Sequence, residues 1–262
     1  MPDFFYHRPR KRFGQHFLTD KNVIDKIIIA INPLPNDNIV EIGPGLGALT
    51  EKLADRLELL QLIEIDRDLV AQLNDRFPQL KIHNHDALKF DFQLIAERGP
   101  LRVVGNLPYN ISTPLLFHLF RFRQLIQDMH FMLQEEVVDR LAAPPHNRDY
   151  GRLSVMAQYY TEVTKLFVVK PGCFSPAPKV NSAIVRLQPR ARTVPADDER
   201  LLEDIVRQAF SQRRKTIKNN LKGTLGASQL EASGIDPGMR AEMLCVDDFV
   251  RLSNSVTAAS SS

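Results

Sequence analysis

From Asn38 onward the chain alternates short apolar runs with stretches whose apolar residues recur at helical spacing. The first runs are NIVEIG, LLQLIEID, LKIHNHDA and RVVGNLPY; DMHFMLQ, KLFVVK and SAIVRL follow. Short apolar runs bounded by polar and turn residues predict buried strands. Between the early ones, LGALTEKLADRL and DLVAQLNDRF predict helices, with Leu49, Leu53 and Leu57 on one face. Strands alternating with helices require right-handed crossovers and a mostly parallel sheet covered on both sides, a doubly wound α/β domain. Ahead of it, DKNVIDKIIIAI predicts a helix capped by Thr19 or Asp20 and stopped at Asn32-Pro33.

Beyond VRLQPRARTVPADDER, which has the prolines and the charge shift of a linker, the strand signals cease. DERLLEDIVRQAF, RRKTIKNNLK, SQLEASG and VDDFVRLSNSV predict a small all-helical C-terminal domain. The expected division is an α/β domain over residues 1–190, whose residues 1–18 are a basic extension, and a helical domain over 191–262.

Composition narrows the class without deciding it. A chain of 262 residues, 44% hydrophobic and 25% charged, can bury a substantial core. Its two cysteines, Cys173 and Cys245, lie far apart with no ligand spacing, so no metal site and a reducing, cytoplasmic setting are expected. No apolar run has membrane-spanning length. The net charge of +3 says little, but its distribution says more. HRPRKR carries Arg10, Lys11 and Arg12, and RQAFSQRRKTIKNNLK carries Arg213, Arg214, Lys215 and Lys218 without an acid. One-sided charge favours a polyanion such as RNA, with an ordinary basic surface helix as the alternative.

Four polar residues close the first four runs: Glu41, Glu64, Asp86 and Asn106. In an open parallel sheet the carboxyl ends of successive strands share an edge, and ligands bind there where the strand order reverses. The turn EIGPGLGALT places Gly43, Gly45 and Gly47 before a helix. Its spacing is neither the dinucleotide G-x-G-x-x-G nor a phosphate-binding P-loop, and a plain tight turn remains open. Glu64 stands where an acid can accept both hydroxyls of a ribose, and Asp86 where it can accept from an adenine amine. Capping competes for both carboxylates, although Asp66 is the better cap beside Glu64. Ile65 and Ala87, next to them, are counted with the pocket. With no basic cluster at the turn, the ligand should lack a pyrophosphate, and S-adenosylmethionine fits.

The segment NLPY then acquires a purpose. If the Asn106 side-chain oxygen and the Leu107 carbonyl each accept one hydrogen of an exocyclic amine, the nitrogen is stabilised as positive charge develops. Pro108 would fix the loop. Tyr109 offers a face for an extruded base, and Phe174 in CFSPAPKVNS is a candidate for the opposite wall.

These segments, with RKRFGQHFL, VEIGPGLGALT, IEIDRDL, VVGNLPYNISTPLLFHLF, MHFMLQEEVVDRL, YGRLSVMAQYY, FSPAPKVNSAIVRL, AFSQRRKTIKNNL and GIDPGMRAE, closely resemble the ribosomal RNA adenine dimethyltransferases, in particular their bacterial small-subunit, kasugamycin-sensitivity branch. The resemblance implies a Rossmann-like, S-adenosylmethionine-dependent methyltransferase fold. It implies two methylations on the N6 amine of each of two adjacent adenosines, in the hairpin near the 3′ end of 16S rRNA within the immature 30S subunit. It also implies that Gln15, His16 and Leu18 help hold the cofactor, His16 standing where the family often has Asn. A monomer is expected. The large-subunit branch usually has isoleucine in place of Leu107. An RNA-binding assembly factor without catalysis is a competing reading, and a nicotinamide-dependent oxidoreductase fails on the glycine spacing.

Overall fold

The computed structural model describes residues 16–260. Contacts divide them into two compact units: residues up to Val138 with Thr164–Pro189, and Asp139–Val163 with the residues from Arg190 onward.

The first unit is built on a sheet. Strands β1 (Phe17–Leu18), β2 (Asn38–Ile42), β3 (Leu60–Glu64), β4 (Lys81–Asn84), β5 (Leu101–Asn106) and β6 (Ile126–Gln134) come first, then β7 (Thr161–Val169), β8 (Phe174–Ser175) and β9 (Ser182–Pro189). Helices α1 (Lys21–Ile31), α2 (Ala48–Ala54), α3 (Arg67–Arg76) and α4 (Ser112–Phe120) connect the early strands, and α5 (Glu135–Ala142) follows β6. Seven strands pair in the order β4-β3-β2-β5-β6-β9-β7. The pairs from β4 to β6 are parallel and β9 runs antiparallel to β6. The doubly wound, mostly parallel sheet is the one the sequence predicts. From β2 the chain builds outward through β3 and β4, then returns to add β5 on the other side. The order therefore reverses between β2 and β5, and a crevice opens there beyond their carboxyl ends.

Every residue of β2 is buried, as a central strand covered on both faces requires. Helix α1 packs Ile24, Ile27, Ile28 and Ile31 into the core. Asp20 caps it by accepting from the backbone N–H groups of Asn22 and Val23, and Asn32 ends it at φ 47°. Inside the sheet Arg102 is buried between two carboxylates, bonded to Asp128 at 3.0 and 2.9 Å and to Asp37 at 2.6 Å. It also donates to the Ile31 carbonyl at the end of α1. One guanidinium thus joins α1, β5 and β6.

The second unit contains α6 (Arg152–Tyr160), α7 (Glu199–Ala209), α8 (Ile217–Asn220), α9 (Ala227–Ala232) and α10 (Val246–Ser260). A single cut at residue 190 assigns Asp139–Val163 to the sheet domain, whereas the contacts group it with the C-terminal helices, because α6 packs on α7 and α10. The Tyr159 hydroxyl accepts from Ala196 N–H at 3.0 Å, and the Tyr160 hydroxyl donates to Glu203. RRKTIKNNLK is not one helix: residues 210–216 are turns, and only Ile217–Asn220 is helical. Asn220 Nδ2 donates to the carbonyls of Ala209 and Gln212, so the end of α7 is satisfied by a side chain instead of another helical turn.

Candidate active site

At the strand-order reversal the backbones of β2 and β5 approach closely. A Cβ on Gly105 would lie 2.4 Å from the Ile42 carbonyl oxygen, so only glycine fits. The turn after β2 has positive φ at Gly43, Gly45 and Gly47. A Cβ on Gly45 would come within 3.0 Å of the Phe17 ring, which lies over the turn. Above it opens a cavity of about 340 Å³.

Of the residues singled out in the sequence, His16, Leu18, Glu41, Gly43, Gly45, Glu64, Ile65, Asp86, Ala87, Asn106, Leu107, Pro108 and Tyr109 all line this cavity. Gly47 does not: it is the N-cap of α2, and its Cα faces the Phe77 ring. Phe174 does not either. Its strand pairs with β1, Phe174 opposite Leu18, and its ring is buried in the core instead of forming a cavity wall. Gln15, Arg10, Lys11 and Arg12 lie outside the described residues.

The carboxylates differ in setting. Glu41 is 2% exposed and accepts from Thr50 Oγ1 at 2.7 Å. Burial pushes its carboxyl up to about 7, against the Thr50 hydrogen bond and with the charge of Glu64. It lines the cavity as an almost fully buried carboxyl. Glu64 accepts from Asp66 N–H at 2.9 Å and, more weakly, from Gly45 N–H at 3.4 Å. Burial raises its carboxyl too, and these hydrogen bonds oppose the rise. Asp66, as expected, is the cap of α3. Asp86 stands two residues past the end of β4 and accepts from Leu88 N–H at 3.0 Å, the local capping role, while also lining the cavity.

The NLPY loop closes the other side. Asn106 Nδ2 donates to the His16 carbonyl at 2.9 Å, which leaves its oxygen end for the cavity. Leu107 is buried and its N–H reaches the Met132 carbonyl. The Tyr109 hydroxyl bonds Ser182 Oγ at 2.8 Å, and burial raises the phenol above its ordinary value. The His16 ring lies against the Tyr109 ring, centroids 5.7 Å apart. Thr50, Gly105, Phe17 and Ser182 escaped the sequence reading. Only the glycine before NLPY could have been noticed, because the others act through contacts remote in sequence.

Among the described residues no Lys or Arg lines the cavity, so a pyrophosphate would find no counter-charge there. Acceptors at Glu64 and Asp86, with Ile65, Ala87 and Leu88 as apolar walls, fit an adenosyl group carrying a cationic sulfur. Among the described residues, too, no group of three or more His, Cys, Asp or Glu could hold a metal ion, and no helix is long and apolar enough to cross a membrane.

In the second unit Arg213, Arg214, Lys215 and Lys218 are exposed. Arg213 donates to the Arg148 carbonyl and lies 3.7 Å from Glu242, so part of its hydrogen-bonding capacity is used internally.

The model of a family described as ribosomal RNA adenine dimethylase matches residues 6–258. The ribosomal RNA small subunit methyltransferase A of Aromatoleum aromaticum is 56% identical over 257 residues, covering 97% of this chain and 96% of that protein. The protein of the same description from Chromobacterium violaceum is 56% identical over 251 residues, 95% of each. Among solved structures, a dimethyladenosine transferase from Plasmodium falciparum matches with TM-score 0.79 and 27% identity over 90% of this chain and 96% of that one. The 23S rRNA methyltransferase ErmE matches with TM-score 0.68 and 26% identity over 92% and 99%. With the glycine turn, the acidic strand ends and NLPY around one cavity, and the match running nearly end to end, the chain belongs to the ribosomal RNA adenine dimethylase family of S-adenosylmethionine-dependent methyltransferases.

Proposed function

We propose that the chain transfers methyl groups from S-adenosylmethionine to the N6 amines of two adjacent adenosines, twice on each, in the hairpin near the 3′ end of 16S rRNA. The RNA is taken within the immature small subunit, in the cytoplasm, by a monomer. The reading rests above all on Asn106, whose amide oxygen has no partner among the described residues and stands at the carboxyl end of β5, in the same cavity as Glu64 and Asp86.

The cofactor supplies a methyl group already activated on a sulfonium. Glu64 accepts from the ribose hydroxyls and Asp86 from the adenine amine, with Ile65 and Ala87 against the purine. Gly43 and Gly45 let the backbone approach, Leu18 covers the site, and Gln15 adds a polar contact. Glu41, bonded to Thr50, lines the cavity that would take the cofactor. For the target, the Asn106 oxygen and the Leu107 carbonyl accept the two amine hydrogens, and Tyr109 stacks on the flipped base. Held in this way, the amine nitrogen would present its lone pair to the activated methyl group and would release one N–H proton to water as the methyl is taken up. The protein's main contribution is to hold two reactants at contact distance. Arg214, Lys215 and Lys218, with Arg213 and the N-terminal Arg10, Lys11 and Arg12, bind RNA phosphates.

Incubation with labelled S-adenosylmethionine and small subunits from cells lacking this enzyme should put label into RNA, mapping to two adjacent dimethyladenosines. RNA without label would overturn the reading.

A further inference from the structure

Asn106 has two chemically opposite ends, and only its oxygen can accept from an amine. What selects the end facing the cavity is residue 16: with Nδ2 bonded to the His16 carbonyl at 2.9 Å, turning the amide over would set oxygen against oxygen. That carbonyl is itself held by the His16 side chain. His16 Nδ1 lies 2.8 Å from the Pro176 carbonyl, which can only accept, so the ring carries its proton on Nδ1. The ring also rests on Tyr109, with planes 28° apart. Just beyond, Phe17 and Leu18 pair with Ser175 and Phe174, and Thr19 N–H reaches the Cys173 carbonyl at 2.9 Å. Residue 16 is thus the point where the segments carrying Asn106, Tyr109 and Pro176 meet.

We infer that His16 is a positioning residue for methyl transfer: its ring, fixed between Tyr109 and the Pro176 carbonyl, holds the His16 backbone oxygen where it turns Asn106 into the amine-accepting orientation. The inference rests on the proposed function and gives His16 a different task from the cofactor contact that the family resemblance implies. The two tasks separate in kinetics. A cofactor ligand shows itself in affinity, whereas a group that orients Asn106 shows itself in the rate at saturation.

The test uses the full chain with His16→Ala, His16→Asn and His16→Phe, measuring single-turnover methyl transfer to small subunits, cofactor Kd and thermal unfolding. Asn carries an N–H donor the same number of bonds from Cα as His Nδ1, so it keeps the bond to Pro176; Phe keeps a ring and loses the donor. His16→Ala should slow transfer by about ten- to a hundredfold, a loss in keeping with small misplacement of a reacting group, with cofactor Kd within about twofold. His16→Asn should recover most of the rate, and His16→Phe should not. In an Asn106→Ala background, His16→Ala should cost little more, because both remove one function. A proportional loss of cofactor affinity with the saturated rate unchanged would overturn the inference, as would His16→Asn as slow as His16→Ala. A wild-type chain that transfers no methyl group would overturn the proposed function, and this inference with it.

Discussion

Thr50 Oγ1 donates to Glu41 Oε2 at 2.7 Å, tying the end of β2 to the first turn of α2 across the glycine turn. Burial raises the Glu41 carboxyl from an ordinary 4.5 to about 7. Between these values the native state binds a proton that the unfolded state has released. The contribution to stability is therefore complete below the lower value and lost as pH rises through the upper one, by roughly 3 kcal/mol. Denaturant unfolding at about pH 5 and about pH 8 should show the wild type losing more stability than Glu41→Gln. Equal losses would contradict the assignment.

Asn106→Ala removes an acceptor used only as charge develops on the amine. Methyl transfer should fall by about a hundredfold or more, while cofactor Kd changes little. Rapid-quench rates and equilibrium dialysis give the two quantities. Matching losses in both would mean that Asn106 serves the cofactor.

Gly105→Ala forces a methyl against the Ile42 carbonyl, a backbone atom that cannot swing aside. Separation of β2 from β5 should cost about 1–3 kcal/mol and widen the crevice, seen as a lower unfolding midpoint and weaker cofactor binding. An unchanged midpoint would show that the two strands adjust freely.

Charge reversal at Arg214, Lys215 and Lys218 should weaken binding to small subunits and flatten its salt dependence by about one unit of slope for each phosphate no longer neutralised. Arg213→Glu should in addition lower stability, because Arg213 is bonded to the Arg148 carbonyl. Filter binding across a salt series checks the first statement and thermal unfolding the second. A slope identical to wild type would remove these residues from the RNA surface.

The sheet was legible because β2, β3 and β5 are buried central strands, whose near-continuous apolar runs announce them. Helices α4 and α6 were not, since STPLLFHLF and RLSVMAQYY bury side chains over much of their circumference and lose the one-sided period that marks a surface helix. The cavity residues could be read where one strand end supplies one polar side chain, as at Glu64 and Asn106. The burial of Glu41 left no local sign because Thr50, the partner that makes it tolerable, sits in the next helix. The basic block looked helical because the reach of Asn220 back to the end of α7 leaves no local trace. Arg102 went unnoticed for a similar reason: its carboxylates belong to other segments.

The chain leaves the first compact unit at Asp139, returns at Thr164 and leaves again at Arg190. On the ribosome, α6 therefore emerges well before α7 and α10, the helices it packs on, have been made. Val155, Met156 and Tyr159 must wait with their apolar surfaces uncovered. A nascent chain stalled near residue 190 would have α6 made and its packing partners absent, an intermediate suited to chaperone capture. A truncated gene product ending there would keep that exposure permanently.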